Sequence, residues 1–358
     1  MKRIIAAATL VVAVGLIVYF TTLTPSPPKA IEQPRRAPAA QAKKEDPQAV
    51  AVLEKLGARL QRDDKLPGKP IVAVVLHGPI TDADLILLQG LPFLDTLQLQ
   101  GTAITDTGLT HLAEVTSLRE LMLDGAAITD SGLVSLGKLT GLATLRLGRT
   151  RIGDAGLASL TRLTKLQSLN LAGTKVTGKG LEGLTSLREL DLRETALTDA
   201  GLTSLVVLKQ LERLDLEGTA VTDAGMKTLA GLTSLRYLNL TDTKVTDVGL
   251  NDLAAVPLFA LNLTRLKITG ETAARFGDLR ELYLRETAAT DDVVGKLSGI
   301  KYLRVLDLSF TKVGNKGMRQ MEGMESLKVL DLWKTEITDA GLNSLEKLTR
   351  LEKLKLVI

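Results

Sequence analysis

The chain of 358 residues contains no cysteine. Disulfide frameworks, thiolate metal sites, cysteine nucleophiles and a lipidated cysteine anchor are therefore excluded. Histidine is nearly absent. The two copies, His77 and His111, are too few for a histidine-built metal or catalytic centre, and both read as surface residues. Aromatic residues make up 3% of the chain, so any core must rest on aliphatic side chains. Charge of one sign is also lacking where it would matter. The net +4 comes from residues 1–70, with 12 Lys/Arg against 6 Asp/Glu, while residues 71–358 hold 33 against 35. A nucleic-acid binder concentrates positive charge on its folded surface, so the near-neutral body argues against that class. What remains is 45% hydrophobic, which excludes a wholly disordered chain.

One long hydrophobic run stands at the N-terminus. Lys2 and Arg3 precede an apolar stretch over residues 4–20 that extends to Leu23. Helix over that length spans about 30 Å, the hydrocarbon thickness of a bilayer. No Ala-x-Ala cleavage site follows it, so residues 1–23 read as an uncleaved signal anchor with membrane contact through residues 4–23. The charges abutting the run place the N-terminus inside and the remainder outside the cytoplasm, at the membrane, or secreted if the segment is cleaved. Residues 24–46 are rich in Pro and Ala and read as an extended linker. In residues 47–70, Asp46-Pro47 has the form of an N-cap with proline at the first helical position. Leu53, Leu56 and Leu60 follow at helical spacing, which predicts a capping helix ending near Arg62.

From residue 71 onward one pattern recurs: Leu-x-x-Leu-x-Leu-x-x-Thr-x-Ile/Val-Thr-Asp-x-Gly-Leu. Copies begin at Ile71, Leu94, Leu118, Leu142, Leu166, Leu187, Leu211, Leu235, Leu258, Leu279, Leu303, Leu327 and Leu351. Successive starts lie 21 to 24 residues apart. In Leu-x-Leu, alternate side chains point inward and their neighbours outward, so each copy supplies one short strand, parallel to the next and ~4.8 Å from it. Thr-Asp offers an oxygen to cap a short helix, and Gly-Leu-x-x-Leu aligns leucines along one helical face. One copy cannot bury its leucines alone; stacking does so. The copies at Leu166 and Leu258 have 21 residues, which predicts a shortened convex segment in each.

The motifs Leu187-x-x-Leu190-x-Leu192 and Leu327-x-x-Leu330-x-Leu332 resemble the hallmark of the leucine-rich repeat family, and the resemblance covers residues 71–358. The Thr-Asp-x-Gly-Leu half is similar to the cysteine-containing subtype of F-box adaptors, except that threonine replaces the cysteine and no F-box precedes the array. Bacterial secreted or membrane-anchored members, including the internalin class, are the closer comparison. The implied fold is an α/β solenoid, with a curved parallel sheet on the concave face and short helices on the convex face. The sequence reading adds a transmembrane helix and linker in front, about 12 repeats and a final short one.

Several motifs need weighing. A threonine recurs at the strand exit, at Thr102, Thr150, Thr174, Thr195, Thr219, Thr243, Thr287, Thr311 and Thr335, where its hydroxyl is placed to satisfy backbone groups of the turn. Gly173 to Gly180 mimics a phosphate-binding loop. However, Gly180 stands where Ser or Thr must hold magnesium, and it falls in the ordinary glycine column of the repeat. Asp191, Asp215, Asp307 and Asp331, with Asn170, Asn239 and Asn262, occupy the outward position between the strand leucines. Asp191 and Asp215 are adjacent oxygen donors of the kind calcium takes, yet Arg193 and Arg213 lie beside them and neutralise them. No metal site or cofactor is implied. Nothing supplies a pocket or nucleophile, so the chain is read as not an enzyme.

The rare aromatics gather on outward positions of the later copies: Tyr237, Tyr283, Phe310 and Trp333, with Phe259 beside them. Interfaces favour Tyr, Trp and Arg, and Arg193, Arg213 and Arg285 complete the group. The candidate partner face is therefore Asp191, Arg193, Arg213, Asp215, Tyr237, Asn239, Tyr283, Arg285, Asp307, Phe310, Asp331 and Trp333. The leading reading is a membrane-tethered module that binds a protein, or an envelope glycan, on this face. A purely structural envelope protein and a cytoplasmic adaptor of the F-box type are the alternatives.

Overall fold

The computed structural model describes residues 44–356. The first element follows from its cap. Asp46 is extended and its Oδ1 accepts from the Gln48 N–H at 2.9 Å, and Pro47 opens helix α1 (Pro47–Lys55), which buries Ala49 and Leu53. Here the sequence expectation needs correction. The helix does not run on through Leu60. Gly57 takes a left-handed φ of 81° and the Ala58 N–H donates back to the Leu53 carbonyl at 2.9 Å, a glycine stop. The chain then turns into strand β1 (Arg59–Arg62), antiparallel to β2 (Ile71–Val75).

From β2 onward each copy adds one strand in chain order. Together with β1 they form a 14-stranded sheet, parallel throughout except at the β1–β2 pair. Most strands have only three residues, as in Thr96–Gln98 or Arg213–Asp215. Their middle leucines face one another, Leu190 with Leu214 and Leu214 with Leu238, and are buried. Each such leucine contributes about 2 kcal/mol of hydrophobic burial. The helical turns behind the sheet start at the Asp of Thr-Asp, for example Asp106–Leu112 and Asp223–Leu229. The two 21-residue copies carry only 3-10 turns there, Leu181–Gly183 and Glu271–Arg275, each entered through a left-handed glycine, Gly180 at φ 94° and Gly270 at φ 87°. The shortening expected of them is what the structure has.

Two polar ladders recur along the stack, one closing each turn within its copy and one tying each copy to the next. All nine threonines of the exit column donate their hydroxyls to the carbonyl three residues back, such as Thr219 Oγ1 to Leu216 at 2.7 Å. The aspartate of Thr-Asp does more than adjoin its own helix. It accepts from the next copy's Thr backbone N–H and hydroxyl: Asp82 from Thr105, Asp106 from Thr129, Asp199 from Thr222 and Asp223 from Thr246. The glycine of the motif follows from this clamp. A Cβ on Gly132, Gly225 or Gly249 would meet Oδ1 of the preceding copy's aspartate.

The fold expectation is corrected in one further respect. It set a transmembrane helix in front of the solenoid, but no helix among the described residues is long and apolar enough to cross a membrane. Residues 1–23, on which that expectation fell, lie outside the described residues, as do residues 24–43 of the 24–46 linker.

Candidate interaction face

The register of the strands sets one outward column across the sheet. Asn170, Asp191, Asp215, Asn239, Asn262, Tyr283, Asp307 and Asp331 stand side by side in it. Its aspartates and asparagines share one local task. The side-chain oxygen accepts from the backbone N–H two residues on: Asp191 from Arg193 at 3.1 Å, Asp215 from Glu217 at 3.1 Å, Asn239 from Thr241 at 3.0 Å, Asp307 from Ser309 at 2.8 Å and Asp331 from Trp333 at 3.0 Å. The strand ends there, so that N–H would otherwise lack an acceptor. Either Asp or Asn suffices, which explains why the two interchange along the column.

Asp191 and Asp215 are brought together as expected, with Arg193 between them. Its Nη2 lies 2.7 Å from Asp191 Oδ2 and its Nε 3.5 Å from Asp215 Oδ2. Asn239 Nδ2 donates to Asp215 Oδ1 at 3.0 Å. Burial pushes the Asp215 carboxyl up to about 7, with the Asp191 charge adding to the rise and Arg193 opposing it. The Asp191 hydrogen bond raises the Arg193 guanidinium above its ordinary value. Among the described residues, no group of three His, Cys, Asp or Glu is arranged to hold a metal ion. Arg213 does not join this cluster; its guanidinium lies 3.8 Å from the centre of the Tyr237 ring.

At the far end the aromatics form a second cluster. Phe310 and Trp333 meet edge to face with centroids 4.7 Å apart. Arg285 lies 4.3 Å from the Phe310 ring centre, and Lys334 Nζ lies 5.1 Å from both rings. Phe310 and Lys334 occupy left-handed positions, at φ 57° and 53°, so the turn presents them as neighbours. Half-buried Tyr237, Phe310 and Trp333 are open to a partner.

Three of the sequence-derived face residues are not accessible. Tyr283, Asp307 and Asp331 are each only 4% exposed. Tyr283 donates its hydroxyl to Glu281 at 3.1 Å, and burial raises its ionisation above the usual phenol range. Asp307 holds both the N–H and the hydroxyl of Ser309, and Asp331 is covered by Lys355 at 3.2 Å. Alternation gave the direction of these side chains but not their burial, which for Asp331 includes the ion pair with Lys355. They lie beneath the exposed surface of the face.

A further column lies just before each strand, Arg236, Phe259, Arg280, Arg304 and Lys328, of which the sequence pattern singled out only Phe259. The Phe259 ring lies between Arg280, at 4.1 Å, and Arg236, at 5.5 Å. The repeat register contained the signal, since each stands one residue after a copy's first leucine.

A family model described as leucine rich repeat matches residues 185–245, and a second of the same description matches residues 116–137, 162–185 and 300–320. No curated protein matches the chain. Among solved structures, the chain is similar to an internalin of Listeria monocytogenes, at 23% identity and a TM-score of 0.62, covering 87% of this chain and 94% of that one. It is also similar to a leucine-rich repeat protein of Leptospira interrogans, at 19% identity and a TM-score of 0.58, covering 75% and 74%. At these identities the likeness is one of fold.

Proposed function

The chain is a leucine-rich repeat protein, and from that premise we propose that it is a non-enzymatic module that binds a protein partner on its strand face, in the later copies. One observation carries this reading. Tyr237, Phe310 and Trp333, in a chain with 3% aromatics, all stand half-open on the same side of the sheet, each held by a cation. Interfaces concentrate their energy in aromatic and arginine side chains set in ordered surroundings. The backbone beneath is fixed by the threonine and aspartate ladders, so little conformational entropy is lost when a partner docks.

Because Tyr283 is buried, the variant that tests the face is Tyr237→Ala with Trp333→Ala. Wild type is expected to retain a stoichiometric protein partner in cross-linked extracts, and the double variant to lose it at unchanged melting temperature. Equal capture by both would move the site elsewhere. No stoichiometric partner at all would favour a purely structural role.

For location, the apolar run behind Lys2 and Arg3 supports export of the repeat domain from the cytoplasm. Added protease should digest the domain at the surface or in the periplasm of cells whose inner membrane is intact. Protection until that membrane is broken would reverse the assignment.

A further inference from the structure

We propose that Arg236, Phe259, Arg280, Arg304 and Lys328 form a docking ridge for an acidic peptide segment of the partner, an inference that rests on the strand face being the partner surface. Main-chain hydrogen bonds string these residues together. The Phe259 N–H donates to Arg236, Arg280 to Phe259, Arg304 to Arg280 and Lys328 to Arg304, at 2.7 to 2.8 Å. The side chains therefore leave one line at steps of one strand, ~4.8 Å. The same line continues through the earlier copies as Glu212, Arg188, Gln167, Ala143, Arg119 and Asp95. There two acids balance two arginines, and Arg188 is paired with Glu212. Only from Arg236 onward does it carry four cations before the next carboxylate, Glu352.

The middle of that row, Arg280 and Arg304, is not neutralised within the fold. Arg280 and Arg304 are exposed and make no ion pair among the described residues. Arg236 spends its donors on the carbonyls of Thr233 and Leu235, each at 2.9 Å. Lys328 pairs with Glu352 at 2.5 Å. Glu281, beside Arg280, accepts the Tyr283 hydroxyl. Among the described residues, exposed Asp278 and Glu325, which precede the ridge in their own copies, form no ion pair with it. Like charges held on neighbouring rungs repel, and an anionic guest relieves that repulsion.

The chemistry favours carboxylates on a protein. Three of the four cations are arginine, whose planar fork matches a carboxylate with two parallel hydrogen bonds. Carboxylates on alternate residues of an extended segment recur every ~6.8 Å, within reach of long side chains spaced more closely. Phe259 interrupts the cations with an apolar step that an acidic polysaccharide would not need. The ridge also borders the aromatic face, so a protein covering Tyr237 and Trp333 brings its own segment across it. A nucleic acid requires a broader basic surface than one row on a nearly neutral body.

The test uses the full chain and three probes: a fluorescein-labelled Glu-rich peptide, its Lys-substituted counterpart and a chondroitin sulfate oligosaccharide. The Glu-rich peptide should bind, weaken with added salt, and lose about tenfold or more in affinity in Arg280→Glu with Arg304→Glu. Arg280→Gln with Arg304→Gln should lie between, and both variants should melt as wild type because the side chains are exposed. Binding of the Glu-rich peptide that ignores these substitutions, or ridge-dependent binding of the oligosaccharide without the peptide, overturns the proposal. Partner capture that depends on Tyr237 and Trp333 while the ridge variants leave peptide binding untouched sinks the ridge and spares the face. Peptide binding that needs the ridge while the face variant still captures its partner sinks the face reading alone.

Discussion

Asp223 and Gly249 belong to different copies, yet each explains the other. Asp223 Oδ1 and Oδ2 take the Thr246 N–H and hydroxyl at 2.6 and 2.7 Å. A Cβ on Gly249 would press on that carboxylate and on the Asp223 Cα at 2.8 Å. Asp223→Ala leaves two polar groups of Thr246 without their acceptor and should cost about 1–3 kcal/mol. Gly249→Ala should cost a similar amount by overpacking, about 1–3 kcal/mol, and the two losses should fall short of additive, because removing the carboxylate makes room for the methyl. Denaturant melts of the singles and the double check this. The sequence displays the Thr-Asp-x-Gly motif plainly, but reads it as a cap within one copy, because a repeat pattern does not say which copy a side chain reaches. The threonine column is different: its bond to the carbonyl three residues back is local, so the role was legible. Thr219→Val, at a buried position, should lower stability by about 1 kcal/mol. Asp215 gives a pH signature. Its folded pKa of about 7 exceeds the ordinary carboxylate value, so the folded state binds the proton more tightly than the unfolded one. The contribution of this group to stability is therefore greatest below pH ~4 and declines as pH rises towards 7. Asp215→Asn keeps the acceptor for Glu217, and should flatten that decline and raise the melting temperature at pH 8. An unchanged pH profile would show that neither burial nor the Asp191 charge opposes ionisation of Asp215.

At the scale of elements, the strand exits separate backbone strain from packing. The residue before each exit threonine is left-handed whether or not it is glycine: Gly101 at φ 68°, Glu194 at 55°, Gly218 at 68°, Lys334 at 53°. A Cβ on Gly101 meets nothing within 4 Å, so Gly101→Ala should cost about 1 kcal/mol through conformation alone. Glu194→Gly should shift the denaturation midpoint the other way, since it removes that strain. Opposite shifts in the two variants are the expected result; equal losses would point to lost side-chain contacts instead. The strands themselves were legible, because a period of two inside a period of about 24 fixes both their faces and their order. The end of α1 was not. Leu53, Leu56 and Leu60 keep helical spacing across Gly57, and a glycine's handedness is not written in its neighbours. Nor was the burial of Tyr283, Asp307 and Asp331, since alternation gives the direction of a side chain but not what folds over it.

Across the whole molecule, stability in a stack of this kind is a sum of copy and interface terms, so the weakest interface decides how it comes apart. The copy beginning at Leu166 has Gly178 where its neighbours have the clamping aspartate, and Thr198 of the following copy receives no carboxylate. The main-chain ladder behind the sheet, which joins Lys175 to Ile152 and Ala220 to Leu197, also skips Ala196. The interface between the copies at Leu166 and Leu187 thus keeps its strand pairing, its leucines and the strand-side bonds Ser168–Glu189 and Asn170–Asp191, while lacking both polar ties behind the sheet. Leucines there carry more of the coupling than elsewhere. Leu192→Ala and Leu240→Ala delete the same buried side chain at 0% exposure, the first at this junction and the second beside intact clamps on Thr246. Each should cost about 2–5 kcal/mol. Only Leu192→Ala should split calorimetric unfolding into two transitions, with amide exchange accelerating first around residues 177–201. One cooperative transition in both variants would mean that the leucine column alone sets the coupling, and that the aspartate clamps contribute to register but not to cohesion.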